Sequence, residues 1–219
     1  MRLADCFAVF GSGTGCPFCG EAMVRKTLIC PACRRALESR PGGAVRCSGR
    51  YPLLVAAPYR MPFRQAVLRY KNGGQTHLAP VLSHLMLETV LAFAGGHPSG
   101  PQMVSWIPGD RSRTALRGYH PPEKLARHLA RSLQLPAGAL LVRQPSQPQT
   151  GRSTAERRTS LSGTFRLRRG AAVNGRRVLL VDDVVTTGST FEEAVRVLTR
   201  NGADSVWCVA FAGGEKLFD

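Results

Sequence analysis

Residues Val178 to Thr190 read VLLVDDVVTTGST, and the rest of the chain is arranged around what these positions can do. Val178-Leu179-Leu180-Val181 is an unbroken apolar run, the pattern of a parallel strand buried on both faces. Asp182 and Asp183 follow where that strand is expected to end, and Thr186-Thr187-Gly188-Ser189-Thr190 then offers hydroxyls, a flexible glycine and consecutive backbone N–H groups. A helix is predicted next. Phe191, Ala194, Val195 and Leu198 recur at helical spacing, Thr190 with Glu193 has the form of a capping box, and Asn201-Gly202 is a stop. A loop between a strand's carboxyl end and a helix's amino end is where open α/β sheets place ligands, and its free N–H groups and the helix dipole favour a phosphate. The neighbouring carboxylates suit something else: sugar hydroxyls, or waters around a magnesium ion.

The segment resembles the phosphoribosyl-pyrophosphate (PRPP) loop of type I phosphoribosyltransferases: four apolar residues, two acids, then T-T-G-S-T. The resemblance implies a type I phosphoribosyltransferase-like α/β fold, an open, mostly parallel sheet flanked by helices. It implies that Asp182 and Asp183 are the catalytic acids, holding the ribose hydroxyls. It also implies that Thr186, Thr187, Gly188, Ser189 and Thr190 wrap the 5′-phosphate of PRPP, with Mg as the accompanying ion.

At 219 residues the chain can hold one such domain plus a small appendage. No apolar run reads as a membrane span, since the longest apolar helix, around Leu78 to Ala94, carries His84 and Glu88. The N-terminal apolar stretch is short and interrupted by Asp5, a poor signal peptide, so a cytoplasmic location is expected. The formal net charge of +16 comes mostly from arginine, Lys26, Lys71, Lys124 and Lys216 being the only lysines. Such a surplus implies attraction to polyanions, whether nucleic acid, anionic lipid or phosphorylated substrates; a solvated basic surface is the alternative.

The first fifty residues are rich in Cys, Gly and Pro. Cys16-Pro-Phe-Cys19-Gly and Cys30-Pro-Ala-Cys33 supply four thiolates in two C-x-x-C knuckles, which matches a tetrahedral structural zinc site (Zn) with no open position for catalysis. Cys6 and Cys47 are left over, each a possible spare ligand, and Cys208 reads as a core residue of a late strand. The turn-rich Arg40 to Tyr51 reads as the joint, giving a zinc-binding module over residues 1–50 and a second domain over 51–219.

Along the second domain, strands are predicted at Leu53–Ala57, Val104–Ile107 and Leu140–Arg143, and helices at Met61–Tyr70, Leu78–Phe93 and Pro122–Leu133. Pro108-Gly109-Asp110 ends one strand and leads into the basic Arg111, Arg113, Arg117 and Gly118-Tyr119-His120. Gln144 to Gly163 is polar and long for a connection, the mark of a functional lid or of disorder, and it opens a dense run of arginines that includes Arg152, Arg157 and Arg158.

Taken together, the layout resembles the ComF family of competence-related, phosphoribosyltransferase-like bacterial proteins. Beyond the PRPP loop, the resemblance rests on Arg69-Tyr70 with Gly73, on Ile107-Pro108 followed by Arg117-Gly118-Tyr119, and on Pro148-Gln149-Thr150-Gly151 with Arg157-Arg158 and Phe165. His120 and Ser160 stand where the family usually has Asn, and a third cysteine pair survives only as Cys47. The resemblance implies handling of incoming single-stranded DNA in natural transformation, with a competence helicase and other transformation proteins as partners and a peripheral association with the membrane. In the related enzymes pyrophosphate leaves ribose C1 through an oxocarbenium-like state. Transferred here, Pro108, Gly109, Asp110 and Arg111 would face the pyrophosphate, and the lid, with Arg152, Arg157 and Arg158, would close over it and meet nucleic acid. Three readings stay open: a PRPP- and DNA-binding competence factor, a nucleobase phosphoribosyltransferase of salvage metabolism, and a PRPP-sensing regulator.

Overall fold

The strand that begins at Val178 in sequence is the centre of the sheet. In the computed structural model, which describes residues 15–16, 18–23, 29–40, 43–47, 51–97, 99–144, 163–214 and 217–218, the elements run in this order: α1 (Pro31–Glu38), β1 (Ala44–Cys47), β2 (Pro52–Pro58), α2 (Phe63–Asn72), a 3₁₀ turn (Thr76–Leu78), α3 (Ala79–Ala94), β3 (Met103–Trp106), α4 (Arg111–Arg117), α5 (Pro121–Leu133), β4 (Leu141–Arg143), β5 (Phe165–Leu167), β6 (Arg177–Val185), α6 (Ser189–Arg200) and β7 (Ser205–Gly213). The main sheet has the order β1-β2-β7-β6-β3. Its β2, β7, β6 and β3 are parallel, and β1 adds an antiparallel edge. An α/β sheet of mostly parallel strands is the expected fold class.

Each face of this sheet has its own core, as a sheet buried on both sides requires. On one face Leu54, Val104, Leu179, Val181, Val209 and Phe211 pack under α2, α3 and α5. On the other, Leu53, Val55, Val178, Leu180, Val206 and Cys208 pack under Phe191, Ala194, Val195 and Leu198 of α6, the four residues whose spacing predicts that helix. Cys208 is a fully buried core residue of β7, as its apolar neighbours imply.

Four expectations change. The strand does not stop at Val181 but continues through Val185, so both acids lie within it. Ala44–Cys47, inside the supposed joint, is a strand paired with β2, so the sheet begins before residue 51. The strand around Leu140–Arg143 is not in the main sheet; it pairs antiparallel with β5, and Gln144 N donates to Thr164 O (2.8 Å). The segment Thr76–Ala94 is long and apolar enough to span a membrane by composition, yet just over half of it is buried inside the fold, the signature of a core helix.

Candidate phosphate and metal sites

The end of β6 and the start of α6 form the candidate ligand site. Gly188 sits at φ 82°, the left-handed region open to glycine, and is the N-cap of α6 with no side-chain hydrogen bond to the helix. The capping box expected from Thr190 and Glu193 is not formed, because the helix starts two residues earlier, with Gly188 rather than Thr190 as its N-cap, and Glu193 is turned into the protein. There it is buried, takes Arg196 on both oxygens (2.6 and 2.8 Å) and accepts Gly163 N at 2.8 Å, tying residue 163 to α6. The N-terminus of α6 is thereby left without a side-chain cap from its N-cap residue, and Ser189 N donates only at 3.4 Å, to Thr187 Oγ1. Thr187 Oγ1 lies 2.8 Å from Ser189 Oγ, Thr186 and Thr187 are exposed, and Gly188, Ser189 and Thr190 are half-buried.

The two acids point to opposite faces, as alternation along a strand dictates. Asp183 shares the face of Leu179 and Val181 and is 3% exposed. Its Oδ1 pairs with Lys71 Nζ from α2 at 2.8 Å, and its Oδ2 is buried without a hydrogen-bond partner. Asp182 is half-buried on the α6 face, and its Oδ1 accepts Asp183 N at 2.8 Å. Burial, and next the Asp183 charge, push the Asp182 carboxyl well above the ordinary carboxylate range.

Beside them, at the end of β3, Asp110 is spent as the N-cap of α4: its Oδ1 accepts Arg113 N at 3.0 Å, and that backbone bond holds its carboxyl below the ordinary range. Arg111 is exposed, and Pro108 and Gly109 are half-buried. A side chain at residue 109 would meet His120 Nε2, so this imidazole lies against the loop. Tyr119 donates to Tyr70 O, and Tyr70 OH to Pro121 O (2.8 Å), fixing the turn that carries His120 to α2. Arg152, Arg157 and Arg158 lie outside the described residues. Phe218 packs against the α6-side core.

The four cysteines form a second site. The sulfurs of Cys16, Cys19, Cys30 and Cys33 all lie within 4.8 Å of one another, and Cys19 and Cys30 are 3.7 Å apart. The edge of a tetrahedron with metal–sulfur bonds of ~2.3 Å is ~3.8 Å, so the cluster fits a metal ion such as zinc. Cys30 N points at Cys16 Sγ (3.5 Å) and Cys33 N at Cys30 Sγ (3.4 Å). Burial raises the Cys16 thiol, but backbone N–H groups of Cys30, Cys19 and Phe18 outweigh it and bring it down to about 7. Burial and the neighbouring sulfurs push Cys33 up. Four thiols this close cannot all ionise without a cation between them. Cys6 and the side chain of Cys47 lie outside the described residues.

Sequence reasoning missed Lys71, Glu193 and Arg196 as parts of this architecture. Lys71 is one of the chain's few lysines, a weak signal; the Glu193–Arg196 spacing alone suggests only an ordinary helix pair.

A mostly parallel sheet flanked by helices, with this strand–loop–helix at its end, is the fold of a phosphoribosyltransferase-type domain, and the phosphoribosyl transferase domain family matches residues 123–217. The DNA utilization protein YhgH of Escherichia coli O157:H7 is 31% identical over 205 residues, covering 89% of this chain and 88% of that protein. Competence protein F of Haemophilus influenzae is 28% identical over 204 residues, covering 90% of this chain and 85% of that protein. With this domain and these relatives, the chain belongs to the ComF family. Among solved structures, glutamine PRPP amidotransferase from B. subtilis, complexed with ADP and GMP, matches with 21% identity and a TM-score of 0.44, over 66% of this chain and 30% of that one.

Proposed function

We propose that the protein handles incoming single-stranded DNA in natural transformation, with PRPP or a nucleotide phosphate seated on Thr186–Thr190. The observation that carries this reading is the uncapped start of α6, ringed by hydroxyls and entered through a left-handed glycine. The relatives' names, a competence protein and a DNA utilization protein, supply the DNA context.

In this reading the N–H groups of Ser189 and Thr190 and the surrounding hydroxyls take the 5′-phosphate. Asp182 takes the ribose hydroxyls and the waters of a magnesium ion, which when bound neutralises the pyrophosphate. Asp183 backs it from the other face through the shared backbone. Exposed Arg111 and Arg113, which have no ion pair among the described residues, take DNA phosphates together with the lid arginines Arg152, Arg157 and Arg158. Cys16, Cys19, Cys30 and Cys33 hold a structural zinc. The zinc module of residues 1–50 and the domain of 51–219 are then functional halves joined through β1, and the protein works at the cytoplasmic side of the membrane.

Calorimetry with PRPP and Mg²⁺ tests the seat. The wild type should saturate, and Asp182→Asn should bind at least ~10-fold more weakly, a loss of about 1.4 kcal/mol. A wild type that gives no binding heat removes the seat. Binding of a single-stranded oligonucleotide should fall about one decade per decade of salt for each phosphate neutralised; equal retention at ~0.05 and ~0.5 M salt removes the electrostatic mode. The match to the phosphoribosyl transferase domain family favours a second reading, a nucleobase phosphoribosyltransferase of salvage. Base-dependent pyrophosphate release above an Asp182→Asn blank would move the assignment there.

A further inference from the structure

We infer that α2 is a mechanical link between the cysteine knuckle and the acid pair, with Lys71 as the positioning residue of Asp183, so that loss of the metal loosens the candidate phosphate seat. The inference deepens the reading above and rests on it for its consequence in binding.

The helix is built for such a role. Phe63, Ala66, Val67 and Tyr70 form its buried stripe. At about 100° per residue, Arg69 and Lys71 project from either flank of Tyr70. One flank meets the knuckle: the Arg69 guanidinium occupies the space where a Cβ on Gly20 would stand, directly after Cys19, and its Nε is held by Gln75 Oε1 at 3.0 Å. The other flank meets the site, Lys71 Nζ lying 2.8 Å from Asp183 Oδ1. At the far end of α2, Phe63 packs edge-on against Phe18 of the knuckle (6.5 Å between centroids) and Phe211 of β7 (6.4 Å). The helix therefore touches the knuckle at both ends and reaches β6 from its last turn.

The two ends depend on each other through simple electrostatics. Without a cation nothing draws the four sulfurs onto one point, and the Cys19–Gly20 turn loses the geometry that seats Arg69. A shift of α2 withdraws Lys71. Asp183, whose other oxygen has no partner, is then a buried carboxylate without a counter-charge, and breaking one half of such a pair is strongly unfavourable. Asp183 N is the donor to Asp182 Oδ1, so the change passes directly to the acid on the ligand side.

Hydrogen–deuterium exchange on the full chain, metal-loaded and after EDTA treatment, tests the link. Metal removal should speed exchange about tenfold or more over residues 63–72 and also over 182–190. Lys71→Met with metal retained should speed 182–190 but leave 16–33 as in the wild type, and Lys71→Arg should restore it. Faster exchange at 63–72 with 182–190 unchanged, or Lys71→Met matching the wild type at 182–190, overturns the inference. If EDTA unfolds the whole chain, Arg69→Ala with metal bound decides: faster exchange at 182–190 supports the link, and unchanged exchange overturns it. PRPP affinity measured on the same variants should fall about tenfold in Lys71→Met. A wild type that binds no PRPP defeats the ligand reading, while the exchange data still decide the coupling.

Discussion

Two glycines with nearly the same backbone angle sit in the two sites, Gly20 at φ 83° and Gly188 at φ 82°, and their surroundings differ completely. Above Gly20 the space is filled by Arg69. Around it, backbone N–H groups are spent on sulfurs, and Cys16, Phe18 and Cys33 belong to the core under α2, α3 and α5. Above Gly188 the nearest atom to an added Cβ is Leu53 Cδ2 at 4.0 Å, and the helix it opens has no side-chain cap. The first site is closed by the protein itself and fits a structural ion. The second has no side chain crowding its glycine, and its Ser189 N is engaged only weakly, by Thr187 Oγ1 at 3.4 Å, which is what a ligand that comes and goes requires.

The largest expected effect comes from opening the closed site. Cys16→Ser, or metal removal, should cost several kcal/mol, because the knuckle shares a core with three helices; calorimetric Tm should fall by roughly 10 °C or more at ~2–4 °C per kcal/mol for a chain of this size. A Tm within ~2 °C of the wild type would mean that the knuckle folds independently of the sheet. Next come the glycines. Gly188→Ala should cost ~1–2 kcal/mol from its left-handed backbone alone and weaken PRPP binding at least ~10-fold by crowding the phosphate. Gly20→Ala should cost more stability, by the same backbone strain plus displacement of Arg69. Equal denaturant midpoints for the two variants would erase the distinction between a covered and an open glycine.

Asp182→Asn sharpens the contrast further because it should separate stability from binding. The folded protein holds this carboxyl's pKa high, so ionising Asp182 opposes folding, increasingly so as pH rises above the ordinary value of 3.8. The neutral amide should therefore stabilise the protein by roughly 1–2 kcal/mol while costing PRPP affinity. A destabilised variant would show that Asp182 serves the fold rather than a ligand.

How much of this could be read in advance divides along the same line. The knuckle was legible because four thiols at metal spacing admit few other uses, and the loop because a strand, hydroxyls, a glycine and an amphipathic helix follow in order. Less legible were events that depend on distant partners. That Asp183 would turn inward to Lys71, more than one hundred residues away, follows from the strand continuing past Val181, which an acidic pair normally argues against. That Glu193 would leave the helix cap for Arg196 and Gly163 follows from its falling on the buried side of α6. The antiparallel β1 was hidden by its Gly- and Pro-rich flanks, and the 140–143 strand's departure from the main sheet by a run too short to show its partner.

The smallest expected effect concerns the loop at Pro108–Arg111, which resembles the knuckle more than the start of α6 because His120 fills the space over Gly109 and Asp110 is already a cap. Burial pushes the His120 pKa down, and Arg117 adds to this, while Glu123 and Asp183 pull the other way. The native state then binds fewer protons than the unfolded chain between that lowered value and the ordinary 6.5, so stability rises with pH across this window. The stabilisation is present in full above 6.5 and is lost as pH falls toward the folded value. His77 and His128 shift the same way, again by burial first, so His120→Asn should flatten the slope only in part. Urea midpoints at about pH 7.5 and 5.5 should differ less in His120→Asn than in the wild type, by under ~1 kcal/mol. Parallel slopes would mean that His120 gains its proton freely in the folded state. The imidazole would then be an open group facing solvent, and the Gly109 loop would belong with the ligand seat rather than with the closed site.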